Sequence, residues 1–406
     1  MLTAQNDREN ALSPVTSGQL QQLADGLREH SGFVEVLTSL QQGHGGTIGG
    51  TWGAASSLAV AGIASARAGE KTGLVVVVVP HAVDADMFAD DLTLFTSLAI
   101  DVLPAIESID DPSADHETLI NDPAEAQRLA LVKRLVDYSD ESPRILVTSM
   151  QAVLTPLADP RQIEESTRHL TLGAKVDPQE LAEWLLARGW QQVDTLDSPG
   201  SFARRGGIID LFATDWERPV RLELNDDEID SLRTFDTVSQ RSVRTLESID
   251  LTALQSFNKS THRAWLTDVV PSGTWWSLIE PQELLDEGKR LATILPVKST
   301  LQSEELFTRV YRFPSVILSA IAPTSFEATA HLAVESVERF TGQLDRVCHE
   351  LDTVGKDQEV WIAAPTEAEE QRLNELLSPS APARAGRLHF LQGRRSAGFR
   401  LGPEKF

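Results

Sequence analysis

The sequence predicts an α/β protein with a separate α+β segment in its middle, and three observations predict it. Short β-branched runs alternate with amphipathic segments towards both ends of the chain, which is typical of parallel strands joined by helices. Between about residues 165 and 251 this alternation stops, and strand-like runs follow one another with little helix between them. The 406 residues are enough for two or three domains, and 41% hydrophobic residues can supply their cores.

Buried parallel strands are predicted at five short apolar runs. Three of these runs are followed within two residues by a proline, which ends a ladder because it has no N–H to donate. The runs are Leu74–Val79, Ile145–Thr148, Trp276–Ile279, Val316–Leu318 and Val360–Ala364.

Amphipathic helices are predicted between these strands. One spans Glu125–Tyr138, and another spans Glu367–Leu377 and begins with a Thr366–Glu369 capping box. The first has an apolar stripe made of Leu129, Val132, Leu135 and Val136. The acidic segment Ile100–Asn121 is predicted to be a loop.

The middle segment is predicted to begin with one helix. Asp177 is its N-cap, Pro178 occupies its first position, Glu180 closes a capping box and Gly189 stops it. Its packing face is predicted to contain Leu181, Trp184 and Leu185.

Strands are predicted to follow this helix, with a polar turn at Asn225–Glu228. Period-two alternation puts Val220, Leu222 and Leu224 on a packing face, and Arg221, Glu223 and Asn225 on an outward face. The predicted strands are Arg205–Phe212, Val220–Leu224, Ile229–Phe235 and Val243–Leu251.

Composition excludes several classes of protein. A formal net charge of −24 repels phosphate backbones, which disfavours a generic basic nucleic-acid binder. No apolar stretch approaches the roughly 20 residues of a membrane-spanning helix, and the first ten residues do not resemble a signal peptide. We therefore expect a cytoplasmic protein without a membrane partner. The single cysteine, Cys348, and the scattered histidines indicate no metal site, and no cofactor is expected.

One glycine-containing stretch has the position of a phosphate-binding loop. GGTWGAASSLAVA, residues 49–61, precedes a predicted helix, and a working loop reads G-x-x-x-x-G-K-[ST]. Gly49 fits the first glycine and Ser56 keeps the hydroxyl, but Ala54 and Ala55 stand at the second glycine and the lysine. Without the lysine the β/γ-phosphate charge has no main protein cation. We therefore expect no hydrolysis and assign no catalytic residue.

Three stretches resemble the Mfd family of bacterial transcription-repair coupling factors. They are GGTWGAASSLAVAGIA, then SFARRGGIIDLFATDWERPVRLELNDDEIDSLRTFDTVSQRSV, then GFRL. The middle stretch is also similar to the excision-repair helicase UvrB. UvrB has an intact phosphate loop and an aromatic hairpin that inserts into DNA, whereas this chain has Ala55 and no Phe, Tyr or Trp from Ser97 to Asp137. The resemblance therefore favours the coupling factors.

The resemblance implies a degenerate P-loop, helicase-like domain in two segments, residues 1–160 and 252–406, interrupted by a UvrA-binding-type α+β domain at residues 161–251. It implies a non-catalytic module that recruits the damage-recognition protein UvrA to stalled transcription complexes in nucleotide excision repair. RNA polymerase and DNA would be partners only of other parts of the longer family protein, an ATP-dependent translocase. We expect this chain to be a piece of such a protein.

The family's docking positions correspond to Arg205, Arg221 and Asn225, and Arg204 adds charge beside them. Asn225 stands where the family often has an aromatic. Arginine forks suit carboxylates at interfaces, but Arg205 and Arg221 could instead pair with nearby acids such as Asp210 or Glu223.

Two other functions stay open at this point. The chain could bind ATP through unusual ligands, or it could bind lesion-containing DNA in the manner of UvrB. Saturable ATP binding would indicate the first function, and retardation of a damaged duplex at low salt would indicate the second.

Overall fold

The computed structural model describes residues 18–106, 122–139, 142–253, 263–295, 300–321, 328–336, 344–393 and 397–402. Within these ranges no helix is both long enough and apolar enough to cross a membrane. The helices are α1 Gly18–Leu27, α2 Ser31–Gln41, α3 Ala54–Ser65, α4 Ala82–Phe95, α5 Pro123–Val136, α6 Met150–Leu154, α7 Pro160–Glu165, α8 Pro178–Leu186, α9 Leu266–Val269, α10 Pro281–Leu291, α11 Ser303–Val310, α12 Leu344–Val354, α13 Glu367–Leu377 and α14 Ala381–Arg384.

The strands fall into one large parallel sheet, one large sheet in the middle of the chain and four small pairs. They are β1 Gly46–Gly49, β2 Val75–Val79, β3 Ile100–Leu103, β4 Ile145–Ser149, β5 Leu157–Ala158, β6 Thr167–Thr171, β7 Gln191–Gln192, β8 Ser201–Arg205, β9 Ile208–Phe212, β10 Val220–Asn225, β11 Glu228–Phe235, β12 Ser242–Leu246, β13 Ser248–Thr252, β14 Arg263–Ala264, β15 Trp275–Ile279, β16 Ser315–Ser319, β17 Ala328–His331, β18 Val334–Ser336, β19 Val360–Ala364, β20 Leu388–Gln392 and β21 Phe399–Leu401.

The parallel sheet has seven strands in the order β17-β1-β16-β15-β2-β4-β3. Its strands come from both ends of the chain, and the middle segment lies between β4 and β15 in sequence. All five valines of β2 are buried, because helices cover both faces of the sheet. Val75, Val77 and Val79 pack into one apolar cluster with α1 to α4, while Val76 and Val78 pack into another with α5 and α6.

The five predicted parallel strands are confirmed, each within one residue at either end. Four lie in the seven-stranded sheet, but β19 pairs only with β20 in a separate parallel pair. The prediction of a loop at Ile100–Asn121 is wrong at its start. Ile100–Leu103 forms β3, since it can pair with β4 at the sheet edge, and residues 107–121 lie outside the described residues.

The helix predicted at Glu125–Tyr138 spans Pro123–Val136 in the structure. Leu129, Val132 and Leu135 are buried as predicted, but Val136 is wrongly included in the stripe: as the last residue of the helix it is 47% exposed. The Glu367–Leu377 prediction is confirmed, and the Thr366 hydroxyl accepts from the Glu369 N–H at 3.3 Å.

The middle segment forms a six-stranded sheet in the order β12-β11-β10-β9-β8-β7, antiparallel except at the short β7–β8 pair. Helix α8 contributes Leu181 and Leu185 to an apolar cluster with Leu211, Leu222 and Leu232. We call the sheet face opposite this cluster the outer face.

The predicted cap of α8 is half right. The Asp177 carboxylate accepts from the N–H groups of Gln179 and Glu180 at 2.7 and 3.2 Å. The Glu180 side chain does not close the box, because its carboxylate accepts instead from Arg168 at 2.9 Å.

Two strand predictions in the middle segment are wrong because each merges two strands. Arg205–Phe212 contains a turn at Gly206 and Gly207 that separates β8 from β9. Gly206 has φ +61°, and a Cβ on Gly207 would lie 2.9 Å from the Leu224 carbonyl oxygen. Val243–Leu251 is divided at Glu247, after which β13 leaves the large sheet and pairs with β6.

Candidate partner-docking surface

The outer face carries two rows of cross-strand neighbours. Arg221 on β10 lies opposite Asp210 on β9 and Arg233 on β11. One step along, Glu223 lies opposite Ile208 and Ser231, and Ile208 in turn lies opposite Arg205 on β8. Because alternate residues of a strand share a face, Arg205, Arg221 and Asn225 are all on the outer face. The structure therefore brings three of the four predicted docking residues together.

Arg221 is committed to contacts within the sheet. Its Nε and Nη2 donate to the two carboxylate oxygens of Asp210 at 2.7 and 2.8 Å, and Nη2 also donates to Gln240 Oε1 at 3.1 Å. The guanidinium lies over the buried Phe235 ring, 4.6 Å from its centroid. The hydrogen bonds that Arg221 donates to the Asp210 carboxylate raise the pKa of Arg221 above its usual value. Arg221 thus forms the intramolecular pair with Asp210 that the sequence left open.

Arg205 is more available to a partner. It is exposed at the end of β8, and its guanidinium donates to the Asp194 carbonyl and, at 3.4 Å, to Thr195 Oγ1. Neither contact is to a carboxylate, so the positive charge is not neutralised by them. Arg205 also lines a shallow polar depression together with Gln192, Asp194 and Arg204.

Arg204 lines the same depression but lies on the opposite face of the sheet from Arg205. Alternation places it with Ile209 on the opposite face, and its Nη1 donates to Gln179 Oε1 on α8 at 2.9 Å. The adjacent arginines therefore point to opposite sides of the sheet, and Arg204 is not on the outer face where the other docking residues lie.

Asn225 lies at the tip of the β10–β11 hairpin, exposed and opposite Glu228. In the turn beside it, Asp226 adopts a left-handed backbone conformation with φ +54°. Asp227 in the same turn forms an ion pair of 3.0 Å with Lys175. Trp216, an aromatic in the same segment, packs against the apolar cluster on the other side of the sheet.

Sequence reasoning missed the outward role of Ile208 and the pairing of Glu223 with Arg233. The predicted strand Arg205–Phe212 contains Ile208 in its interior, so the prediction does not place Ile208 next to a turn. With the turn at Gly206 and Gly207 recognised, the same alternation would have put Ile208 beside Arg205.

The residues predicted to form a degenerate nucleotide loop are also close together. Gly49 ends β1, and Ala54, Ala55 and Ser56 form the first turn of α3, where all three are at most 4% exposed. The Ala54 N–H donates to the Ala397 carbonyl at 3.2 Å, and those of Ala55 and Ser56 donate to Trp52 and Gly53. A helix N-terminus binds an anion through such N–H groups, and here each already has an acceptor within the chain.

Residues from distant parts of the same chain also contact this loop. A Cβ on Gly50, at φ +75°, would lie 2.2 Å from the Leu332 carbonyl oxygen, and one on Gly53 would lie 2.9 Å from Ala397 Cβ. Phe399 packs beside Phe95 with ring centroids 6.2 Å apart, and β21 pairs with β18. The described part of the loop is thus lined by backbone from residues 331–332 and 397.

Glu280, the lone carboxylate after β15, has a structural contact. It adopts φ +48° and accepts from the Ala320 N–H at 2.7 Å, and burial raises its pKa. Among the described residues, no group of three or more His, Cys, Asp or Glu side chains is arranged to hold a metal ion.

The segment that forms the middle sheet has a sequence that matches a known family model. Residues 169–257, which include the whole outer face, match the model of the UvrB interaction domain. The transcription-repair-coupling factor of Bacillus subtilis (strain 168) is 31% identical over 228 residues, 55% of this chain and 18% of that protein. That of Escherichia coli (strain K12) is 28% identical over 211 residues, 52% of this chain and 17% of that protein.

A third relative, the transcription-repair-coupling factor of Myxococcus xanthus, is 36% identical over 109 residues, 26% of this chain and 9% of that protein. The chain therefore spans less than a fifth of the length of these relatives. Residues 169–257 thus match the UvrB interaction domain, in a chain that is similar over about half its length to transcription-repair-coupling factors.

Proposed function

We propose that this chain is a docking module that binds UvrA through the outer face of the middle sheet and thereby recruits it during transcription-coupled nucleotide excision repair. The observation that carries the proposal is the coincidence of the UvrB interaction domain with a sheet face that presents the exposed Arg205. An exposed guanidinium suits an interface with carboxylates, since its planar fork can donate two parallel hydrogen bonds.

The module is proposed to act without catalysis, on an α/β domain that is helicase-like in packing and degenerate in its P-loop. Two observations support this: Ala55 stands at the lysine position, and the Ala54 N–H donates to the chain's own Ala397 carbonyl. RNA polymerase and DNA are proposed as partners of other parts of a longer protein.

The proposal is tested by titrating the 406-residue chain against UvrA of the source organism on a biosensor surface. Arg205→Ala is expected to weaken binding about tenfold or more, as truncation of an arginine hot spot does. Arg244→Ala is the matched control, because Arg244 is an exposed arginine of β12 that pairs with Thr234 and so lies on the opposite face of the sheet.

Equal binding by wild type and Arg205→Ala would contradict the role of the outer face. Absence of wild-type binding up to high micromolar UvrA would contradict the docking function itself. Thermal midpoints of all variants are compared, so that loss of binding is not confused with loss of folding.

A further inference from the structure

We infer that Ile208 is the apolar anchor beside Arg205 on the outer face. This inference rests on the proposed function, because it assigns a role within the same docking surface. It concerns a residue that the charge-based view of the surface leaves out.

The position of Ile208 is central to the surface. Its cross-strand neighbours are Arg205 on one side and Glu223 on the other, and such neighbours have Cβ atoms about 4.5–5.5 Å apart. Asn225 is the next residue after Glu223 on the same face of β10. Ile208 therefore lies between Arg205 and Glu223, one strand away from the hairpin that ends at Asn225.

Ile208 is also an exposed apolar side chain of this surface, and it lies directly beside Arg205, whereas the more exposed Val243 is on β12, three strands away. Ile208 is 39% exposed at the start of β9, and the outward-facing aromatic Phe235 is fully buried beneath Arg221. Trp216 is held in the cluster on the other side of the sheet. Interfaces gain most from apolar side chains that are buried at the centre and ringed by polar groups, which is how Arg205 and Glu223 surround Ile208.

The partner surface that fits this arrangement is apolar at its centre and carries a carboxylate beside it. The apolar part would cover Ile208, and the carboxylate would pair with the Arg205 guanidinium. Glu223 is already held by Arg233 and by Ser231 Oγ at 2.9 Å, so its charge is offset within the sheet.

The test measures UvrA binding by the full chain carrying Ile208→Thr, which keeps the β-branched shape and replaces one methyl-bearing arm with a hydroxyl. We expect about a tenfold loss of affinity with an unchanged thermal midpoint. Leu186→Ala is the matched control, since Leu186 is 48% exposed at the end of α8.

Two outcomes separate the inference from the proposed function. If Arg205→Ala loses binding while Ile208→Thr binds like wild type, the inference is overturned and the docking function stands. If wild type does not bind UvrA, both are overturned.

Discussion

At the scale of single residues, Arg205 and Arg221 have different physical roles on the outer face. The Arg221 side chain is 22% exposed and paired with a 15% exposed Asp210, so this ion pair is partly shielded from water. Arg205 is exposed and donates to a backbone carbonyl and a hydroxyl. The first arrangement stabilises the sheet, whereas the second leaves charge for a partner.

This difference predicts the effect of each arginine on stability. Arg221→Ala removes three hydrogen bonds and leaves the Asp210 carboxylate without its partner, so we expect the free energy of unfolding to fall by about 1–3 kcal/mol. Arg205→Ala is expected to change it by no more than about 0.5 kcal/mol, as at most exposed sites. Chemical denaturation measures both. An Arg221→Ala chain as stable as wild type would show that its pair with Asp210 contributes nothing.

At the scale of elements, α8 packs against the inner side of the middle sheet, and the β8–β9 turn sets which residues are neighbours on its outer face. Helix α8 covers the apolar cluster on the side of the sheet opposite the outer face. The helix begins after its N-cap Asp177, and Gly189, at φ +82°, follows its last turn. The turn at Gly206 and Gly207 folds β9 back beside β8 and so places Ile208 next to Arg205.

The cap of α8 can be tested directly. Asp177→Ala leaves the N–H groups of Gln179 and Glu180 without their acceptor, and we expect a loss of about 1 kcal/mol of stability. The measurement is chemical denaturation, with Asp177→Ser as the control that keeps a capping oxygen. UvrA affinity should be unchanged at temperatures where the variant is folded, and a loss of affinity there would indicate that α8 itself contacts the partner.

At the scale of the whole molecule, the middle sheet is joined to the parallel-sheet domain by specific contacts. Lys133 Nζ on α5 lies 2.6 Å from Asp215 Oδ2 and 3.0 Å from Thr252 Oγ1, and the Asp215 side chain is 4% exposed. Within the described residues, the loop between β1 and α3 contacts residues 331–332 and 397 of the same chain. The parallel sheet and the middle sheet are thus linked by partly buried polar contacts, and the loop between β1 and α3 packs against other parts of the chain.

This use of the loop predicts how the chain responds to nucleotide. Isothermal titration with Mg²⁺-ATP to millimolar concentration should give no saturable heat. Ala55→Lys should not create binding, because Ala55 is fully buried and the Ala54 N–H already donates to Ala397; we expect the variant to be destabilised by its buried charge. Saturable binding by wild type would instead favour the nucleotide-binding alternative.

Local sequence patterns predicted the secondary structure wherever they were strong. The valine run of β2, the stripe of Leu129, Val132 and Leu135, and the cap of α13 were all readable, because periodicity and capping depend on residues a few positions apart. The alternation along Val220–Leu224 likewise identified the outward face that carries Arg221 and Asn225. The predicted domain boundaries stay predictions.

Contacts between segments that are distant in sequence became visible in the three-dimensional structure. It placed strands from both ends of the chain in one sheet, divided Arg205–Phe212 into a hairpin, directed Arg204 away from Arg205 and brought Ala397 to the start of α3. These results depend on contacts between residues far apart in sequence, whose free energies come from shared burial and backbone hydrogen bonding. A local pattern does not encode such contacts, which is why the pairing of Arg221 with Asp210 was one of several open choices until the strands were set side by side.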